Sequence, residues 1–148
     1  MTDEIYHKDL FGAVVDMNLS EVEEEEKLVG ASGRPDFNVF ALTDAVGARD
    51  KRRAWTLYMQ ALSAGLVAEE VFFKVVWQVK SMLIAQKTKS VAETDMKEFP
   101  YSKAKGFLKN WKEGELEKLS EDLVTGYHQA RRGEGEMETF VEKILLSL

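Results

Sequence analysis

Ala68-Glu69-Glu70-Val71-Phe72-Phe73-Lys74-Val75-Val76-Trp77-Gln78-Val79-Lys80-Ser81-Met82-Leu83-Ile84-Ala85-Gln86 is the stretch on which the fold turns. Val71, Phe72, Val75, Val76, Val79, Met82 and Leu83 recur with a helical period on one broad face, and Phe73, Trp77 and Ile84 widen it. Glu70, Lys74, Gln78 and Ser81 are left as a narrow polar stripe. The β-branched content is high for a helix, yet the run is several times the usual strand of about 5 to 6 residues, so length decides for a helix over about 68–86. A helix apolar nearly all round has to be surrounded, so it is expected at the centre of a bundle.

The segments on either side supply its partners. Upstream, Asp50 offers an N-cap to a helix in which Ala54, Leu57, Tyr58, Ala61 and Leu62 form the stripe, stopped by Gly65. Before it, Asp36 is positioned to cap a short helix through Phe37-Asn38-Val39-Phe40-Ala41-Leu42-Thr43-Asp44-Ala45-Val46, ended by Gly47. Downstream, Ser90 starts a short helix through Val91, Ala92 and Met96, and Pro100 sits where a first-position proline belongs. Ala104, Phe107, Leu108 and Trp111 are the stripe of that next helix. Gly114 separates it from a helix over about 115–131 with Leu116, Leu119, Leu123, Tyr127 and Ala130, a connection short enough for antiparallel neighbours. After Gly133-Glu134-Gly135, Met137, Phe140, Val141, Ile144, Leu145 and Leu148 repeat at helical spacing and dock the last segment.

At the other end, Ile5, Tyr6, Leu10, Phe11, Val14 and Val15 give a weaker helical recurrence, and Ser20 with Glu23 has capping-box spacing before a helix over about 21–29. Gly30-Ala31-Ser32-Gly33-Arg34-Pro35 is the densest turn composition in the chain. The division that follows is an acidic lead-in over 1–35 and a helical domain over 36–148. With 148 residues, 45% of them hydrophobic, and only two prolines and ten glycines, the expected fold is all-α, a helical bundle of about five to seven helices.

Charge is unevenly placed. Residues 1–48 carry 11 acidic and 3 basic side chains, a net of −8, whereas residues 49–148 carry 15 and 17, a net of +2. A sequence pI near 5.1 is far from the value above about 9 that marks a nucleic-acid-binding domain. No cysteine is present, which excludes disulfides, thiolate zinc sites and cysteine nucleophiles and agrees with a reducing, cytoplasmic location. No apolar run reaches the roughly 18 to 20 residues of a membrane span, and Met1-Thr2-Asp3-Glu4 is acidic where a signal peptide is basic. No membrane partner is expected.

A catalytic constellation does not emerge. His7 and His128 stand on separate helices without ligand spacing to a second metal-binding side chain, and the glycines close helices rather than forming a phosphate loop. Glu23-Glu24-Glu25-Glu26 points round a helix in several directions and cannot converge on one ion. Catalytic residues, cofactor and metal are all expected to be none. The cluster Arg49, Lys51, Arg52 and Arg53 is the candidate basic contact, since four cations at a helix start either form a solvated first turn or touch phosphate, and their cost against the helix dipole of about 0.3 to 1 kcal/mol each points to a partner or a nearby acidic surface.

Taken in order, these segments resemble the C-terminal part of the delta subunit of the bacterial DNA polymerase III clamp loader. Leu19-Ser20-Glu21-Val22-Glu23 through Leu28-Val29-Gly30 is similar to the end of that family's lid domain. Asn38-Val39-Phe40-Ala41-Leu42-Thr43-Asp44-Ala45-Val46 resembles its Asn-Val-Phe-x-Leu-x-Asp-Ala-Leu helix, continued in register by Arg49-Asp50-Lys51, Ala54 and Leu57. The long apolar helix and Phe99-Pro100-Tyr101 with Lys103-Ala104 fall where the family has its own long helix and its Pro-Phe-x-Ala-Lys helix start. The resemblance covers about residues 18–148.

It implies a noncatalytic collar domain that packs beside the equivalent domains of the ATPase and delta-prime subunits and supports loading of the sliding clamp on primed DNA. Contact with the DNA itself is expected to be indirect or weak. Clamp contact in that family belongs to N-terminal AAA+-type domains, which no part of this sequence matches. Phe37, Phe40 and Leu42 are the candidate subunit interface, with the basic turn at Arg49 to Arg53 as the alternative. Two rivals remain, a stand-alone helical nucleic-acid-binding protein acting through that turn and an enzyme whose carboxylates meet only on folding.

Overall fold

The computed structural model describes residues 37–148, which form six α-helices without a strand. The readings at Ile5–Val15, Ser20 with Glu23, residues 21–29, Glu23-Glu24-Glu25-Glu26, residues 30–35, Asp36 and His7 lie outside the described residues. In chain order the helices are α1 (Val39–Gly47), α2 (Lys51–Ser63), α3 (Ala68–Lys87), α4 (Glu98–Phe107), α5 (Glu115–Arg131) and α6 (Met137–Leu146). Two 3₁₀ turns, Val91–Glu93 and Leu108–Asn110, flank α4.

The long helix is the hub, as its apolar circumference requires: every other helix packs on α3. Val71, Phe72, Val75, Val76, Val79 and Met82 are at most 1% exposed. They meet Leu42 and Val46 from α1, Tyr58 from α2, Leu116 from α5 and Leu145 from α6 in one continuous core. The enclosure is tighter than the polar stripe on α3 implied, because Gln78 and Ser81 are buried as well. Ser81 satisfies its hydroxyl within its own helix by donating to the Trp77 carbonyl at 2.9 Å. Glu70 is exposed and Lys74 half-buried, so the solvated stripe is shorter than the sequence pattern.

Helix ends follow local chemistry with shifts of a few residues. The first described helix starts at Val39, with Asn38 as cap accepting from the Phe40 backbone N–H at 2.9 Å, rather than from a cap at Asp36. Asp50 caps α2 by accepting from the Arg53 backbone N–H at 3.1 Å, as its position predicts. Ser90 and Glu93 form a reciprocal capping box, but the turn they start stops at Glu93 and does not reach Met96. Pro100 is the third residue of α4 rather than the first, which is tolerated because first-turn N–H groups have no helical acceptor.

The connection from α4 to α5 departs most from expectation. These helices do not pack along one another; each leans on α3. Helix α4 ends at Phe107, the chain tightens through Leu108–Asn110, and Trp111 is extended at φ −122° and ψ 132°. That path carries Trp111 out of the α4 stripe and over to the turn between α1 and α2, where its indole N–H donates to the Gly47 carbonyl at 3.0 Å. The far end of α3 is closed by Lys105, whose ammonium donates to the carbonyls of Ala85, at 2.7 Å, and Thr88. This places a cation where the helix dipole and orphan carbonyls favour one. Leu148 packs on the core, so the last segment is docked as its spacing predicts.

Candidate functional site

The turn between α1 and α2 organises the basic cluster. Helix α1 ends in a Schellman motif, with the Asp50 N–H on the Ala45 carbonyl at 2.9 Å and the Arg49 N–H on the Val46 carbonyl at 3.0 Å. This motif needs one left-handed residue. At the end of α2 that residue is Gly65, at φ 92°, whereas here it is Arg49, at φ 56°, the only non-glycine with positive φ among the described residues. A side chain in that region costs about 1 to 2 kcal/mol, so the surroundings have to hold it there.

They do so through the Arg49 guanidinium. One of its nitrogens donates to both carboxylate oxygens of Glu115, each at 2.9 Å, and the group stacks 4.5 Å from the Trp111 ring centroid. Glu115 also accepts from the Lys112 backbone N–H at 2.6 Å. That backbone bond first, and Arg49 second, hold the Glu115 carboxyl below the usual carboxylate range. A carboxyl lowered on folding stabilises the folded state above its unfolded pKa, and the contribution is lost as pH falls through the lowered value. Wild-type protein is therefore expected to be more stable than Glu115→Gln at pH 7 and to lose that advantage on acidification through and below the usual carboxylate range. Urea titrations across this range measure it, and a pH-independent difference would refute it.

The left-handed conformation makes a second expectation. Arg49→Ala removes the ion pair and the stack but keeps the strain, whereas Arg49→Gly removes all three. The glycine variant is expected to be the more stable by about 1 kcal/mol, and equal urea midpoints would show the turn to be unstrained.

The four-cation cluster is thus divided. Arg49 is half-buried and paired, and it lines a cleft of about 390 Å³ with Trp111, Glu115, Lys118, Leu119 and Leu148. Lys118 is itself paired to Asp122 at 2.7 Å, which pushes its ammonium up. Lys51, Arg52 and Arg53 are exposed on the first turn of α2, and their side chains have no ion-pair partner among the described residues.

The apolar candidates separate in the same way. Phe37 is 7% exposed and Leu42 fully buried, so the fold places these two in its core. The angle between α2 and α3 receives α1 and absorbs the apolar surface that its short sequence carries in surplus. Phe40 stays half-buried, with the Lys74 ammonium 5.9 Å from its ring. The exposed large apolar side chains of the described residues are instead Trp55, Val67, Phe99 and Leu146. Their signal in the sequence is position: Trp55 falls off the Ala54, Tyr58 and Ala61 stripe, and Phe99 stands in the first turn of its helix.

Tyr58, fully buried on α2, donates to the Glu138 carbonyl at 2.9 Å and ties α2 to α6. Burial first, then the nearby Glu138, Glu142 and Glu69 carboxylates, push its phenol far above the usual value, which keeps it a neutral donor. No three His, Cys, Asp or Glu side chains among the described residues are grouped to hold a metal ion, and no described helix is long and apolar enough to cross a membrane. Comparison with protein-family models, with curated proteins and with solved structures finds no match to this chain.

Proposed function

We propose that this chain is a noncatalytic assembly domain, the collar part of a delta-like subunit of the bacterial DNA polymerase III clamp loader, working in the cytoplasm. The observation that carries the reading is the correspondence between resemblance and helix. Asn38-Val39-Phe40 through Val46 lies on the cap and body of α1, Ala68 to Gln86 on α3, and Phe99-Pro100-Tyr101 on the first turns of α4. In this role the bundle offers its surface to the ATPase and delta-prime subunits, and clamp loading on primed DNA is an activity of the whole assembly. Size-exclusion chromatography with light scattering, on the chain alone and mixed with those subunits from the same organism, tests it. A stoichiometric complex is expected, and a folded chain that elutes separately would overturn the reading.

The exposed Lys51, Arg52 and Arg53 favour one second reading, a helical nucleic-acid-binding protein. Its mark would be DNA binding by the isolated chain that weakens steeply with salt, and the net charge of −6 works against it.

A further inference from the structure

Trp55 is 36% exposed and Leu146 45% exposed, and both stand where α2 and α6 run side by side. The Tyr58 hydroxyl reaches the Glu138 carbonyl and the Trp55 indole N–H reaches Glu142 Oε1 at 3.2 Å, so the two helices are antiparallel. The last turn of α6 therefore lies beside the first turn of α2, in agreement with the cleft that Leu148 shares with Arg49. Leu146 is thereby level with Lys51 and Arg52. Lys51 and Arg52 precede Trp55 by four and three residues and share its side of α2.

Three features of this face point outward. The indole is held in one orientation by Glu142, so little rotamer freedom remains to be lost when a partner covers it. Tryptophan and arginine are the side chains most enriched where binding energy concentrates. The two cations stand at the positive end of the α2 dipole, beside the Asp50 cap, and their side chains have no ion-pair partner among the described residues.

We propose that the face formed by Lys51, Arg52, Trp55 and Leu146 docks an acidic, amphipathic segment of a protein partner, an inference that rests on the assembly reading. Charge complementarity selects this occupant over nucleic acid. The Glu142 carboxylate sits against the indole on the α6 side and would repel a phosphate backbone laid across it. A segment with acidic groups toward Lys51 and Arg52 and apolar groups over Trp55 and Leu146 meets both halves of the face.

The test mixes the full chain with the ATPase and delta-prime loader subunits and measures dissociation constants for wild type, Trp55→Ala, the double variant Lys51→Glu with Arg52→Glu, and Lys109→Glu as a control on a different turn. Trp55→Ala and the double variant are expected to weaken the complex at least tenfold, and the control to leave it unchanged. The double variant is also expected to melt at a higher temperature than wild type, because acidic groups then occupy the helix start, so weaker binding cannot be attributed to unfolding. Wild-type affinity in both variants would overturn this docking face while leaving the assembly reading in place. No complex with wild type would overturn both. DNA-oligonucleotide binding that the double variant abolishes, with the protein complex unaffected, would assign the turn to nucleic acid and overturn the proposal.

Discussion

Replacing Phe72 by alanine is expected to remove about 3 to 5 kcal/mol of stability, which would leave the domain marginal. The Phe72 side chain is fully buried on α3, its ring stacked 5.7 Å from that of Tyr127 and edge-on to Phe73 at 5.3 Å. Phe140 closes the third side at 6.0 Å. These neighbours come from α5, α3 and α6, so the void would open where three helices meet. Each of those helices is held elsewhere by its own core contacts, which limits how far they can collapse into the space. The aromatic pairs add about 0.5 to 1.5 kcal/mol each to simple burial. Urea unfolding followed by circular dichroism measures the loss, and a decrease below about 1 kcal/mol would show that the ring is not wedged as described.

Gly126→Ala is expected to destabilise the protein by about 1 to 3 kcal/mol, although the same change in an exposed helix would stabilise it by about 1 kcal/mol. Gly126 is buried within α5, and the edge of the Phe140 ring occupies the space a Cβ would fill. The ring has to leave its place against Phe72, and that loss outweighs the gain in helix preference. A double-mutant cycle distinguishes this cause from a general disturbance of α5. In a Phe140→Leu background the glycine substitution is expected to be nearly neutral. A cost unchanged by the shorter side chain would remove Phe140 from the explanation.

Features written in local chemistry were legible in the sequence. The apolar circumference of α3 identified the hub, and Asp50 and Gly65 marked the two ends of α2. Asp36 and Asn38 are both capping residues two positions apart, and local preference does not choose between them. The path from α4 to α5 was less legible because a short connection makes helices neighbours only if it reverses the chain, and Leu108–Asn110 with extended Trp111 sends it elsewhere. The site was least legible. Arg49 and Glu115 are 66 residues apart, so no spacing rule separates this paired cation from the free ones beside it. Phe37 and Leu42 read as surplus apolar surface because a nine-residue helix shows nothing of the groove that receives it.

The central position of α3 also governs how the molecule comes apart. At 20 residues it is about 30 Å long, and its partners are drawn from both the preceding and the following chain. The pair α1 with α2 and the group α4 through α6 each bury part of their apolar surface against α3, and α3 has nothing to cover it until they arrive. Opening any one helix pair therefore exposes part of the shared hub, so unfolding tends toward all or none. Backbone amides in the middle of α3 are the ones whose hydrogen exchange should require global unfolding, while those of Val91–Glu93 and the turn around Gly133 exchange through local opening. Neither half of the chain is therefore expected to fold by itself once α3 is cut away.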